Sequence, residues 1–104
     1  MVQTARNGFV DYIPWTESLR RPNHGGTMRA DQVSAAFGKV LREQRVAAGV
    51  SQEALALSAD VDRTFVSQIE RGIRQPTLTT LCKLARALDV QPSTLVSRME
   101  RLLR

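Results

Sequence analysis

The sequence predicts an all-α fold, five short helices around one core behind an N-terminal extension. Three observations carry this expectation. Apolar residues recur at helical spacing through successive segments, with no alternating strand pattern and no internal repeat. Helix stops and starts punctuate those segments at Gly49, Ser51, Asp62, Gly72, Pro76-Thr77 and Pro92. Only about 5% of residues are aromatic, so the core must be built from Leu, Val, Ile and Ala.

Residues 1–30 form the extension. They hold Asn7-Gly8, Pro14, Pro22, Asn23, Gly25 and Gly26 and show no sustained period, which reads as loosely ordered chain. Phe9, Tyr12, Ile13 and Trp15 cluster there, an apolar patch suited to docking on the core or on a protein partner. Met28 is a second candidate start of the chain. Residues 31–104 form the folded domain. The first helix is expected from Ser34 to Ala48, with Phe37, Leu41 and Ala48 on one face and Gly49 ending it. Ser51 caps the second, which runs to Ala59 with Leu55 and Ala59 inward. Asp62 caps the third, Arg63 to Arg71, and Gly72 stops it. Pro76-Thr77 opens the fourth, where Leu78, Leu81, Cys82, Ala85 and Leu88 repeat at helical spacing. Pro92 suits the first position of a fifth helix running to the chain end.

Composition narrows the function. Fifteen basic and ten acidic residues give a formal net charge of +5, which favours polyanionic partners. The excess is shared, since residues 31–104 hold eleven Lys and Arg against eight Asp and Glu, so placement of the charges matters more than their sum. Cys82 is the sole cysteine, which rules out an internal disulfide and reads as a small core residue. No apolar run reaches membrane-spanning length and the N-terminus lacks a signal layout, so a soluble cytoplasmic protein is expected, with no membrane partner. His24 is the sole histidine and lies in the glycine-rich extension. No nucleophile–base pair and no set of metal-spaced ligands can be assembled, so no catalytic residue, metal or cofactor is expected and the chain does not read as an enzyme.

The third helical segment sorts into two faces. At about 100° per residue, Arg63, Thr64, Ser67, Gln68 and Arg71 fall within roughly 140°, opposite Phe65, Val66, Ile69 and Glu70. The polar side carries two guanidiniums, an amide and two hydroxyls without an acid, the groups that read base edges and grip phosphates. A merely solvated helix face would have a similar composition, so the surrounding pattern decides between the two readings.

That pattern is long and ordered: Leu41-Arg42, Arg45, Gly49, Ser51 to Ala56, Ala59, Val61 to Gly72, Pro76-Thr77-Leu78, Leu81, Leu84-Ala85 and Ala87 to Val90. It resembles the lambda-repressor-like, or Xre, helix-turn-helix family, and more loosely the restriction–modification controllers within it. The resemblance implies that the third helix enters the major groove of double-stranded DNA. It places Arg63, Thr64, Ser67 and Gln68 at base-reading positions and Gln52 at a phosphate contact, with Arg71 and Arg74 as further phosphate candidates. A guanine suits Arg63 and an adenine suits Gln68. Arg45 lies one turn after Leu41 and Glu70 borders the Val66/Ile69 stripe. Two lone buried charges would be costly, so they are expected to pair, as the family often does, in an architectural role.

Three residues depart from the family pattern. Asp60 stands in the turn where Gly is usual, Gln91 where Ser or Thr caps the last helix, and Leu57 is apolar where exposure is expected. Met99, Leu102 and Leu103 extend an apolar stripe beyond what a small domain covers, which marks a homodimer interface. Together these features predict a sequence-specific transcriptional regulator that acts by occupying a near-palindromic operator as a homodimer. Repression is favoured over activation because no sensor domain is evident. The alternative is a protein-interaction module of the same fold, such as an antitoxin or a polymerase-binding partner, supported by the aromatic patch and Leu57.

Overall fold

The computed structural model describes residues 28–104, and the aromatic patch, His24 and the rest of the extension lie outside the described residues. The described residues hold five helices and no strand: α1 (Ala30–Ala47), α2 (Gln52–Ala59), α3 (Arg63–Glu70), α4 (Leu78–Ala87) and α5 (Pro92–Leu102). α1 packs against both α3 and α5, α2 against α3 and α4, and α4 against α5. One cluster fills the space between them, with Leu41, Leu55, Val66, Ile69, Leu84 and Leu95 almost wholly removed from water. Burying each such side chain contributes about 1.5–3 kcal/mol.

The caps are those the sequence announces. Ser51 accepts a hydrogen bond from the Ala54 amide at 3.0 Å, Asp62 from the Thr64 amide at 2.8 Å, and Thr77 from the Thr80 amide at 3.1 Å. Gln91 makes no side-chain cap on α5, as its departure from Ser or Thr implies, and Pro92 alone shapes that start. Asp60 closes α2 with φ 59° and ψ 49°, so the turn keeps its left-handed residue without a glycine.

Four expectations are corrected. α1 starts at Ala30 rather than Ser34, because the Gln32 side chain accepts the Arg29 amide at 3.0 Å and closes an earlier first turn. Ser34 lies inside the helix, buried, donating its hydroxyl to the Ala30 carbonyl at 3.0 Å. Ala48 is exposed, since it lies past the last turn that meets α3. In α4 the buried stripe is Leu81, Leu84, Ala85 and Leu88, whereas Cys82 is exposed and Leu78 is 80% exposed. Both outward residues have helical spacing to the stripe but lie off the sector that α2 and α5 cover. Val96 is 39% exposed while its neighbour Leu95 is buried.

Gly38 has a role that spacing does not reveal. It is buried in α1 where that helix crosses the end of α3, and a Cβ there would meet the Ile69 carbonyl oxygen and lie 2.9 Å from that of Glu70. Two helix backbones therefore touch directly. Replacing Gly by Ala inside an open helix gains up to about 1 kcal/mol in helix propensity. Here the added methyl would strike backbone rather than a yielding side chain, and overpacking of that kind costs about 1–3 kcal/mol. The clash outweighs the propensity gain, so urea melts of Gly38→Ala should show a net loss of stability of about 1–2 kcal/mol. A variant as stable as wild type would mean that the α1–α3 crossing is looser than this.

Candidate nucleic-acid interface

α2, the turn at Asp60-Val61 and α3 form one unit. The turn is closed by the Val61 amide on the Ala56 carbonyl at 3.0 Å, and the next residue, Asp62, caps the start of α3 at Arg63. α3 is only eight residues long, too short to persist alone, so its pose comes from what it packs on. Val66 and Ile69 are fully buried and Phe65 is half-buried against the core. Arg63 and Thr64, on the first turn, are exposed, and Ser67 and Gln68 are half-buried along the opposite side. The four residues expected to read bases thus share the uncovered side of α3.

Glu70 is the only acid in α3, and its side chain is 3% exposed. Arg45 of α1 meets it in fork-to-fork fashion, Nε donating to Oε2 at 2.6 Å and Nη2 to Oε1 at 3.0 Å. The remaining guanidinium nitrogen, Nη1, donates to the Val50 carbonyl at 2.9 Å. The side-chain hydrogen bond to Glu70 holds the Arg45 pKa above its ordinary value; burial pulls it down, and the attraction between the two charges adds to the rise. The pairing expected from sequence is therefore present. It also extends further, because Gln52 Nε2 donates to Glu70 Oε1 at 3.0 Å. One carboxylate gathers α1, the α1–α2 turn, α2 and α3.

The phosphate candidates differ in their surroundings. Gln52 is half-buried at the first turn of α2, its amide already oriented by Glu70. Arg71 is exposed and its Nε donates to the Ser67 carbonyl at 3.4 Å, capping the end of its own helix. Arg74 is exposed, with its guanidinium carbon 5.4 Å from the centroid of the Phe65 ring. Neither the Gln52–Glu70 bond nor the Phe65–Arg74 contact was legible from spacing, since each joins residues on different segments. Far from this face, Met99 is partly buried against the core, Leu103 is half-buried and Leu102 is 45% exposed. The outward Leu78 and Val96 line an apolar cleft with Val33, Phe37 and Met99, adding to that stripe a residue of α4 that spacing had assigned to the core.

Two helices joined by a tight turn, with the second locked inward and polar outward, define a helix-turn-helix protein. The chain belongs to that family: residues 41–95, just over half its length, match the family described as helix-turn-helix. The control protein C.BamHI of Bacillus amyloliquefaciens is 43% identical over 61 residues, which cover 58% of this chain and 75% of that protein. The crystal structure of the restriction–modification controller C.AhdI from Aeromonas hydrophila is 47% identical, with a TM-score of 0.59 over 60% of this chain and 94% of that one. The controller C.Esp1396I, solved as a tetramer in complex with its natural 35 base-pair operator, is 27% identical, with a TM-score of 0.63 over 69% of this chain and 96% of that one.

Removing one member of a buried pair leaves the other charge without a partner, at a cost of about 3–5 kcal/mol. Arg45→Met should therefore lower stability by an amount in that range in a denaturant melt, because Glu70 would retain only Gln52. A variant that melts with wild type would show that the pair does not hold α3 in place.

Proposed function

We propose that this protein is a sequence-specific, DNA-binding transcriptional regulator that acts as a homodimer on a near-palindromic operator. The observation that carries the reading is the electrostatic sorting of α3. Its one acid is neutralised internally by Arg45, while Arg63, Thr64, Ser67 and Gln68 lie together on the open side. A duplex approaching that side meets donors and no carboxylate of the helix. The kinship to restriction–modification controllers, one of them solved on its operator, supports the same reading. Arg63 and Gln68 are assigned to base edges, with Thr64 and Ser67 beside them. Gln52, at the start of α2 where amides and dipole favour anions, and Arg71 and Arg74 are assigned to phosphates. Regulation is by occupancy of the operator, with no chemical step and no cofactor.

The second copy docks through α5. Leu78, Val96 and Leu102 are exposed apolar side chains at or beyond the cleft edge, next to Met99 and Leu103, and such a patch is stabilised by a partner surface of the same kind. A two-fold pair places its two reading helices about one turn of DNA, roughly 34 Å, apart.

Selection of bound sites from a random duplex pool tests the whole proposal, with an inverted repeat as the expected product. Against the selected site, Gln68→Ala and Arg63→Ala should each relax preference at one base pair per half-site, at about 1–3 kcal/mol. Arg74→Ala should weaken all sequences alike. A Gln68→Ala protein with base preference unchanged at every position overturns the base-reading assignment. For the interface, Leu102→Glu should sediment as a monomer where wild type sediments as a dimer. Identical sedimentation of the two would remove α5 as the interface.

A further inference from the structure

Phe65 occupies an intermediate place in the site. Its ring is half-buried and packs on the core cluster, yet Arg74 lies over it, guanidinium carbon to centroid 5.4 Å. The loop that carries Arg74 is itself tied to α3. Gly72 turns the chain back at φ +75°, and the amides of Ile73 and Arg74 both point to the Gln68 carbonyl, at 2.9 and 3.4 Å. Backbone and side chain of Arg74 are therefore anchored to two residues of the reading helix. Among the described residues no carboxylate lies within ion-pair distance of Arg74.

We propose that Phe65 is a positioning residue for DNA binding, whose ring seats the Arg74 guanidinium so that loop and helix present one preformed cationic edge to the duplex. The inference rests on the DNA-binding reading of α3 and deepens it. A surface arginine is otherwise spread over many rotamers, and ordering it on binding lowers affinity. An aromatic face attracts the cation without occupying it with a carboxylate, which would cancel its charge toward phosphate. The half-burial of the ring matters too, because a side chain fixed by the core is a fixed seat.

The test is a double-mutant cycle on Phe65→Leu and Arg74→Ala, with affinity for a short random-sequence duplex measured as a function of salt. Arg74→Ala should reduce the slope of log K against log salt by about 0.9, one phosphate contact. Phe65→Leu should weaken binding about two- to fivefold when Arg74 is present, in line with an exposed cation–π contact, and have no effect when Arg74 is Ala. Equal loss in both backgrounds overturns the proposal. Phe65→Trp retains an aromatic face and should bind as wild type, which separates loss of the seat from general damage to the core. In the free protein, the Arg74 Hδ resonances should be shifted upfield by the ring in wild type and Phe65→Trp and revert in Phe65→Leu. Absence of that shift in wild type refutes the seat. If the shift is present but wild type binds no duplex, it is the DNA-binding reading that falls, and the positioning role falls with it.

Discussion

The fold depends on a single carboxylate placed where water scarcely reaches. Glu70 would be prohibitively costly there alone, and Arg45, Gln52 and, through Arg45, the Val50 carbonyl satisfy it together. A well-packed apolar pair can be as stable as a buried ion pair. Stabilisation in kcal/mol is therefore not what this group uniquely offers. What it offers is direction, because a bidentate guanidinium–carboxylate pair has one good geometry whereas two leucines have many. α3 is two turns long and has no persistence of its own, so direction is what it needs. The Gly38 crossing complements the knot: it brings the α1 backbone onto the last carbonyls of α3, close to where Glu70 sits.

The same group sets the electrostatics of the outer face. An uncompensated Glu70 at the end of α3 would oppose any polyanion approaching Arg63 and Gln68. Pairing with Arg45 cancels that charge locally, and burial keeps the pair from being screened or exchanged. The cations that remain outward, Arg63, Arg71 and Arg74, then stand with no exposed carboxylate of α3 beside them. Stability and charge presentation are two consequences of one hydrogen-bonded cluster.

Much of this was legible in the sequence, for reasons that differ by element. Ser51, Asp62 and Thr77 cap helices through bonds to residues two or three positions away, so local order was enough. The Arg45–Glu70 pair was legible because each charge borders an apolar stripe, where a lone charge would be costly, and because the family resemblance implies the pair. Cys82 and Leu78 were misplaced because helical spacing gives the direction of a buried stripe but not its width, and the neighbours of α4 cover only the Leu81/Leu84/Ala85/Leu88 sector. Gly38 was passed over because nothing in its own segment announces a backbone contact with a helix more than thirty residues away. The Gln52–Glu70 bond was not legible because it exists only once α2 and α3 are packed. The earlier start of α1 is not legible from sequence because spacing does not mark Gln32 as a cap partner.

The arrangement of helices explains how the two ends of the site can act together. α1 is the one helix that packs on both α3, to which base reading is assigned in the proposal, and α5, which carries the apolar stripe. A homodimer through α5 therefore fixes the separation of its reading helices only as well as α1 holds each of them. That helix is eighteen residues long, the longest described, and is joined to α3 by both the Gly38 backbone contact and the Arg45 fork. Loosening either joint would leave α3 polar and exposed as before, but would let its position drift relative to the two-fold axis. Recognition of paired half-sites at a set spacing is more sensitive to that drift than binding of a single half-site. On the proposed function, the buried pair bears on operator recognition without touching DNA, through the rigidity of the helix that joins α3 to α5.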